Sequence, residues 1–192
     1  MLRFIGFYDY TVVLTYTSLV SAILGMVSAH KGLYGAAMIC LFFSGFCDAF
    51  DGTVARTKKN RTEDEKAFGI QLDSLCDVVS FGVAPAFSLY CMGMDSAVGI
   101  AILCGYCICA VCRLGFFNVQ EAKRQQTESG SNKYYRGLPV TSSAMIFPLY
   151  YLLKGLLPGG AFLAGLHILA AATAFLFILD FQVKKPKLPA LK

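Results

Sequence analysis

The feature that most constrains this chain is its succession of apolar runs long enough to cross a bilayer. A span takes about 20 mostly apolar residues. Six such runs read out at residues 11–29, 33–55, 70–92, 97–118, 138–157 and 161–180. The second and third are unusual, because they carry Asp48, Asp51, Asp73 and Asp77. Hydrophobic residues make up 56% of the chain and charged residues only 15%, where a soluble domain carries about 25% charge. The expected fold is therefore all-α: one polytopic membrane domain over residues 1–192 with six transmembrane helices. Residues 1–10, MLRFIGFYDY, read as a short interfacial element and not as a cleaved leader, since Asp9 interrupts the approach to the first apolar run.

Charge placement sets the expected topology. Arg3, the loop basics Arg56, Lys58, Lys59, Arg61 and Lys66, then Lys123, Arg124, Lys133 and Arg136, and the tail Lys184, Lys185, Lys187 and Lys192 fall on one side. The other side holds only Lys31 and Lys154. The positive-inside bias then puts both termini and both long loops in the cytoplasm. The opposite connections, around HKG, GMDS and PGG, are short enough to make hairpins. The net charge of +5 is mostly this topology, with the KKPK tail free to meet anionic headgroups. No nucleic-acid-reading module accompanies it, so no nucleic acid partner is expected.

The 8 cysteines do not form a secreted framework. Cys104, Cys107, Cys109 and Cys112 lie in one apolar run with no His or Asp to complete a zinc site, and read as small buried fillers. Cys47 and Cys76 sit beside the aspartates.

The aspartates carry the chemistry. Asp48 and Asp51 are three residues apart and Asp73 and Asp77 four apart, so each pair shares one helical face. Both pairs lie toward the cytoplasmic ends of their spans. Carboxylates so close repel and need a compensating positive charge. Hard divalent ions such as Mg2+ or Mn2+ suit an all-carboxylate set, and two ions about 4 Å apart are typical of enzymes acting on phosphate oxygens. The structural reading pairs the same acids with Lys58, Lys59 or Arg61 in the headgroup zone. Asp64, among Glu63, Glu65 and Lys66, needs only a solvated face. Gly52 and Ala55 leave room beside Asp51, and Arg56 at the helix end suits a phosphate. Gly69, Gly82 and Ala84 repeat the small-residue theme, which also serves close helix packing. A cation relay is the rival reading. It wants acids at mid-membrane and access from both faces, whereas here all four gather toward one.

Asp48, Asp51, Gly52, Ala55 and Arg56, followed by Gly69, Asp73 and Asp77, resemble the signature of the CDP-alcohol phosphatidyltransferases, D-x-x-D-G-x-x-A-R then G-x-x-x-D-x-x-x-D. The intervening TKKNRTEDEKAF, residues 57–68, is twelve residues long where the family usually has eight. VVSFGVAPAF after Asp77, Arg113-Leu114 with Phe117-Asn118-Val119, and Gly137-Leu138-Pro139 resemble the branch that uses serine, the CDP-diacylglycerol–serine O-phosphatidyltransferases. That branch often has Ala and Arg where this chain has Gly115 and Phe116.

The resemblance implies CDP-diacylglycerol as donor, serine as acceptor, CMP as leaving product, Mg2+ or Mn2+, two ions in number, and a homodimer, while the small size favours a prokaryotic cell membrane and the charge bias puts the active site on the cytoplasmic side. It implies Asp48, Asp51 and Asp73 as metal ligands. Asp77 is expected to be the general base, with a part in metal binding. Gly52, Ala55, Arg56 and Gly69 would contact the donor, and Arg113, Asn118 and Arg136 the acceptor. Arg113 otherwise reads as a snorkelling interfacial residue. Ser80 is expected to satisfy its own helix backbone, and Tyr134 and Tyr135 to mark the interface or gate the site. Glycerol 3-phosphate, inositol phosphate or choline as acceptor, and an archaeal-type isoprenoid donor, are the alternatives.

Overall fold

A computed structural model describes residues 5–55, 57–58, 60–127 and 134–184. Its helices are α1 (Val13–His30), α2 (Tyr34–Ala55), α3 (Glu63–Asp77), α4 (Ala84–Cys91), α5 (Ala97–Thr127), α6 (Ser143–Tyr151) and α7 (Gly159–Ile178). Two three-residue strands, β1 (Tyr134–Arg136) and β2 (Gln182–Lys184), pair antiparallel with Tyr135 opposite Val183. The expected all-α membrane architecture is present. Five helical segments are long and apolar enough to cross a membrane: Tyr10–His30, Tyr34–Ala55, Glu63–Cys91, Ala97–Lys123 and Gly159–Ile178. The remaining apolar segment is helical too, but in three pieces. A 3-10 turn at Val140–Ser142 leads into α6, and a second at Leu152–Gly155 follows it. Pro148 lies inside α6 and offers no N–H to the carbonyl one turn earlier, which keeps that helix short.

α1 and α2 are joined by only three residues, with Gly32 at φ +75° turning the chain. They meet along small and hydroxylated side chains. Thr15, Ser18, Ser21, Ala22, Gly25 and Ala29 are the buried face of α1. Ser18 and Ser44 hydroxyls lie 2.7 Å apart, and Ser21 Oγ donates to the Cys40 carbonyl at 2.8 Å. A Cβ on Gly25 would sit 3.1 Å from that of Cys40, so the backbones approach closely. In lipid, such contacts and hydrogen bonds take the place of a hydrophobic drive.

α3 begins seven residues before the expected span. Thr62 caps it and Glu65 returns the bond to Thr62 N–H, a reciprocal capping box. Glu63, Asp64 and Glu65 in the first turn complement the helix dipole. Between α3 and α4, Val78–Val83 is π-helical, with Ala84 N–H bonded to the Val79 carbonyl five residues back. Pro85 explains the change of register. It has no N–H for the Phe81 carbonyl one turn earlier. Tyr106 Oη on α5 donates to that carbonyl at 2.6 Å and Ser143 Oγ on α6 at 3.3 Å. Tyr106 is fully buried, with Phe147 and Phe177 ring centroids at 5.8 and 5.4 Å. The core therefore centres on the π-helical stretch just below Asp77.

The expected buried cysteine fillers are only partly so. Cys47 and Cys76 are buried, but Cys104 and Cys112 are exposed on α5, whose outer face also shows Ile108 and Val111. A thiol is apolar enough to face lipid. All eight are free.

The N-terminal segment is tied to the loop before α3. Asp9 accepts from Thr11 N–H at 2.8 Å and from the Thr11 hydroxyl, and pairs with Lys58 Nζ at 2.7 Å. Lys58 also reaches Glu65 at 3.0 Å, Tyr10 Oη lies 3.0 Å from Thr57 Oγ1, and the Phe7 and Phe68 rings meet edge-on at 5.5 Å.

Two expectations follow. A Cβ at Gly45 would strike the Cβ of Ala144 where α2 meets α6. Gly45→Ala should therefore lower stability by about 1–3 kcal/mol as overpacking does. The exchange Gly45→Ala with Ala144→Gly should recover most of it in thermal melts in detergent. Second, the Lys58 bond, followed by that from Thr11, holds the Asp9 carboxyl down from 3.8 to about 2. The stabilisation is then complete above the ordinary value and lost as pH falls through about 2. A carboxyl NMR titration should place Asp9 there, and Lys58→Met should move it back up.

Candidate active site

The expected convergence of the two acid pairs is present. Carboxylate oxygens of Asp48 on α2 and of Asp73 and Asp77 on α3 all lie within 4.8 Å of one another. Asp77 is buried and Asp48 and Asp73 are half-buried. Asp51, also buried, stands beside this trio. Its carboxylate adjoins that of Asp73, and its Oδ2 accepts from Thr15 Oγ1 on α1 at 3.0 Å. The trio thus includes Asp77, expected as general base with a part in metal binding, and leaves Asp51 alongside. α3 rises about 1.5 Å per residue, so Asp77 lies roughly 20 Å from the polar start of its helix at Glu63. The outward face of the same helix carries Leu75, 66% exposed.

None of the four acids is ion-paired among the described residues, so the reading that pairs them with Lys58 fails: Lys58 is engaged with Asp9 and Glu65. Asp73 Oδ1 is enclosed and meets no hydrogen-bond donor. Hard oxygen donors held close together, one of them buried without a partner, are what Mg2+ or Mn2+ would satisfy. The residues therefore fit such ions, and the trio, with Asp51 next to it, is where they would be held.

Of the expected donor contacts, Gly52 and Ala55 follow Asp51 at the end of α2, exposed and half-buried respectively. Arg56 lies outside the described residues. Gly69 sits one turn before Asp73, and the Arg61 guanidinium lies directly on it.

The expected acceptor residues separate. Arg113 does not snorkel. It is buried, 8% exposed, with Nε against the Gly137 turn, where Gly137 takes φ +76°. That turn is held by Gly137 N–H to the Phe181 carbonyl at 2.6 Å and Leu138 N–H to Leu176 at 3.1 Å. The Arg113 and Gly-Leu-Pro signals are thus one local structure. Asn118 Oδ1 accepts from Ser74 Oγ at 2.7 Å, tying α5 to the residue after Asp73. Arg136 enters through its backbone in β1, opposite Gln182. Phe116, where the serine branch often has Arg, is 49% exposed on α5.

Two features escaped the sequence reading. Thr15 was not singled out, although its place in a stripe with Ser18, Ala22 and Gly25 marks the face toward α2. Ser80 does not bond its own backbone as expected. Its hydroxyl is fully buried without a partner, on the stretch where the helix changes to π register.

Comparison with known proteins agrees with this geometry. The sequence model of the family described as CDP-alcohol phosphatidyltransferase matches residues 10–179. A CDP-diacylglycerol–serine O-phosphatidyltransferase of Saccharomyces cerevisiae is 40% identical over 117 residues, 59% of this chain and 41% of that protein. The archaetidylserine synthase of Methanothermobacter thermautotrophicus is 37% identical over 134 residues, 69% of this chain and 53% of that protein. A CDP-diacylglycerol–serine O-phosphatidyltransferase of Bacillus subtilis is 39% identical over 106 residues, 53% of this chain and 58% of that protein. The matched regions span about half the length of these relatives. With the family model matching nearly end to end and both acid pairs brought to one point, the chain belongs to the CDP-alcohol phosphatidyltransferase family.

Proposed function

We propose that this protein transfers a phosphatidyl group from CDP-diacylglycerol to the hydroxyl of L-serine, giving phosphatidylserine and CMP. The observation that carries the reading is the meeting of Asp48, Asp73 and Asp77, with Asp51 alongside, at one end of a membrane bundle. The choice of serine draws on relatives named for that reaction, and on Arg113 and the Gly137–Pro139 turn forming one local structure.

Divalent ions bound by these carboxylates would neutralise the donor pyrophosphate and favour departure of CMP. The protein's own residues do the rest. Asp77 takes the serine hydroxyl proton as that oxygen bonds to the β-phosphorus and the bond to CMP breaks. Thr15 orients Asp51 through its 3.0 Å hydrogen bond. Asn118, bound to Ser74, fixes α5 against the helix that bears Asp73 and Asp77. Arg113 is the cation for the serine carboxylate. Arg56 would hold a donor phosphate and Arg136 would add to the acceptor side. The site opens to the cytoplasm, and the acyl chains leave sideways into lipid. The catalytic unit is a homodimer.

A second reading keeps the chemistry and changes the lipid. A relative 37% identical over 69% of the chain is an archaetidylserine synthase, so an isoprenoid ether CDP-lipid is the alternative donor.

Purified protein given CDP-diacylglycerol should release CMP with serine and not with glycerol 3-phosphate, inositol phosphate or choline. Release with one of those instead would overturn the acceptor, and faster turnover of CDP-archaeol would favour the second reading. EDTA should abolish release, with Mg2+ or Mn2+ restoring it; activity surviving chelation would remove the ions from the account. Asp77→Asn should cut turnover by about 10²–10⁴-fold with donor binding kept. Thr15→Val should raise the metal concentration needed for half-maximal activity about tenfold, as loss of a ligand-orienting partner does.

A further inference from the structure

We infer that Arg61, carried on the lengthened loop between the two acid-bearing helices, is an additional anion-binding residue of the donor site and takes a phosphate of the cytidine nucleotide. The inference rests on the donor reading above and adds a residue that the family signature does not contain.

Three observations lead to it. The first is position. A Cβ built on Gly69 would lie 2.6 Å from Arg61 Nη2, so the guanidinium rests on bare helix backbone. Gly69 precedes Asp73 by four residues and shares its face of α3. The cation thus lies over the turn of α3 that precedes Asp73.

The second is the state of its bonding. Nη2 donates to the Glu65 carbonyl at 3.1 Å, and Nε is enclosed with no acceptor. No carboxylate pairs with Arg61 among the described residues, although Glu63, Asp64 and Glu65 follow within four positions. Glu65 is committed to Lys58 and to the Thr62 cap, and Glu63 to Lys66. A guanidinium with an enclosed, unfilled donor among acids that ignore it is set for an anion from outside.

The third is chemistry. The planar fork of Arg matches phosphate oxygens with two parallel bonds, which an ammonium does not reproduce. A nucleotide lying along α2 toward Asp51 would bring its phosphate between the acids and this cation. The loop itself is held by Lys58 to Asp9 and by Tyr10 to Thr57, so Arg61 is presented from an anchored support.

Anionic lipid headgroups carry the same phosphate chemistry, so the test separates the two sources. Full-length protein in neutral detergent with Mg2+ would be titrated with CMP by calorimetry. It would be titrated separately with mixed micelles containing phosphatidylglycerol. Arg61→Ala should weaken CMP about tenfold and raise the KM for CDP-diacylglycerol, leaving the KM for serine unchanged. Arg61→Lys should recover only part. Gly69→Ala, which keeps the charge but displaces the guanidinium, should weaken CMP likewise and provides a second route if Arg61→Ala folds poorly. Lys66→Ala, whose lysine is engaged with Glu63, should match the parent protein. Equal CMP affinity in parent, Arg61→Ala and Gly69→Ala would overturn the inference, as would a loss confined to phosphatidylglycerol binding. If the parent itself binds neither CMP nor CDP-diacylglycerol, the donor assignment falls and this inference with it.

Discussion

Carboxylates grouped inside a membrane bundle dictate most of what surrounds them. Taking an ionised group out of water is severely unfavourable unless other charges or hydrogen bonds replace the lost hydration. Thr15 gives Asp51 a hydroxyl from α1, and, without touching an acid, Ser74 beside Asp73 ties α3 to Asn118 on α5. Asp48 and Asp51 lie in the last turns of α2, next to the polar loop, whereas Asp73 and Asp77 lie in the last turns of α3, with Asp77 roughly 20 Å along the helix from its polar start. Among the described residues no loop basic pairs with them: Lys58 and Lys66 serve acids outside the site. What is left is a close group of carboxylates with an enclosed, unpartnered oxygen on Asp73, a set that divalent ions would suit.

The helix below the site shows how one proline organises a core. Pro85 removes the donor that would serve the Phe81 carbonyl, and the chain answers in two ways. The helix widens over Val78–Val83, and two side chains from other helices move onto the freed carbonyl. Each requires the other: without Tyr106 and Ser143 the carbonyl would be buried unsatisfied, and without the widening α4 would meet α1 on another face. Asp77 is the last α-helical residue before this change. Its backbone is therefore set from below by a hydrogen-bonded aromatic cluster.

How much of this was legible in the sequence depends on how local the signal is. The acid pairs were, because spacings of three and four residues place side chains on one helical face regardless of what packs there. So were five long spans, where length and composition suffice. The run at 138–157 was less so: Pro148 lies inside α6, and 3-10 turns flank that short helix. The burial of Arg113 was not legible, because it depends on the Gly137 turn folding over α5 from more than twenty residues away. The β1–β2 clip is three residues a side, too short to show alternation. Exposed Cys104 and Cys112 were misjudged because an apolar run does not reveal which face meets lipid. The unsatisfied hydroxyl of Ser80 was misjudged because an α-helical register was assumed, although Pro85 stood five residues ahead to contradict it.

The hydroxyl-lined seam between α1 and α2 has a consequence for how the molecule is made. Translation delivers α2, with Asp48 and Asp51, well before α3 exists to complete the site. A lone helix with two acids is a poor candidate for membrane insertion. Its predecessor is already present, however, joined by a three-residue turn and carrying Thr15, Ser18 and Ser21 in register with Asp51, Ser44 and the Cys40 carbonyl. The first two helices can thus enter the bilayer as a preassembled hairpin, with the acids partly sheltered during the interval before their partners emerge from the ribosome. Residues that look like scaffold in the finished protein double as the escort that brings an acid-bearing helix into the membrane.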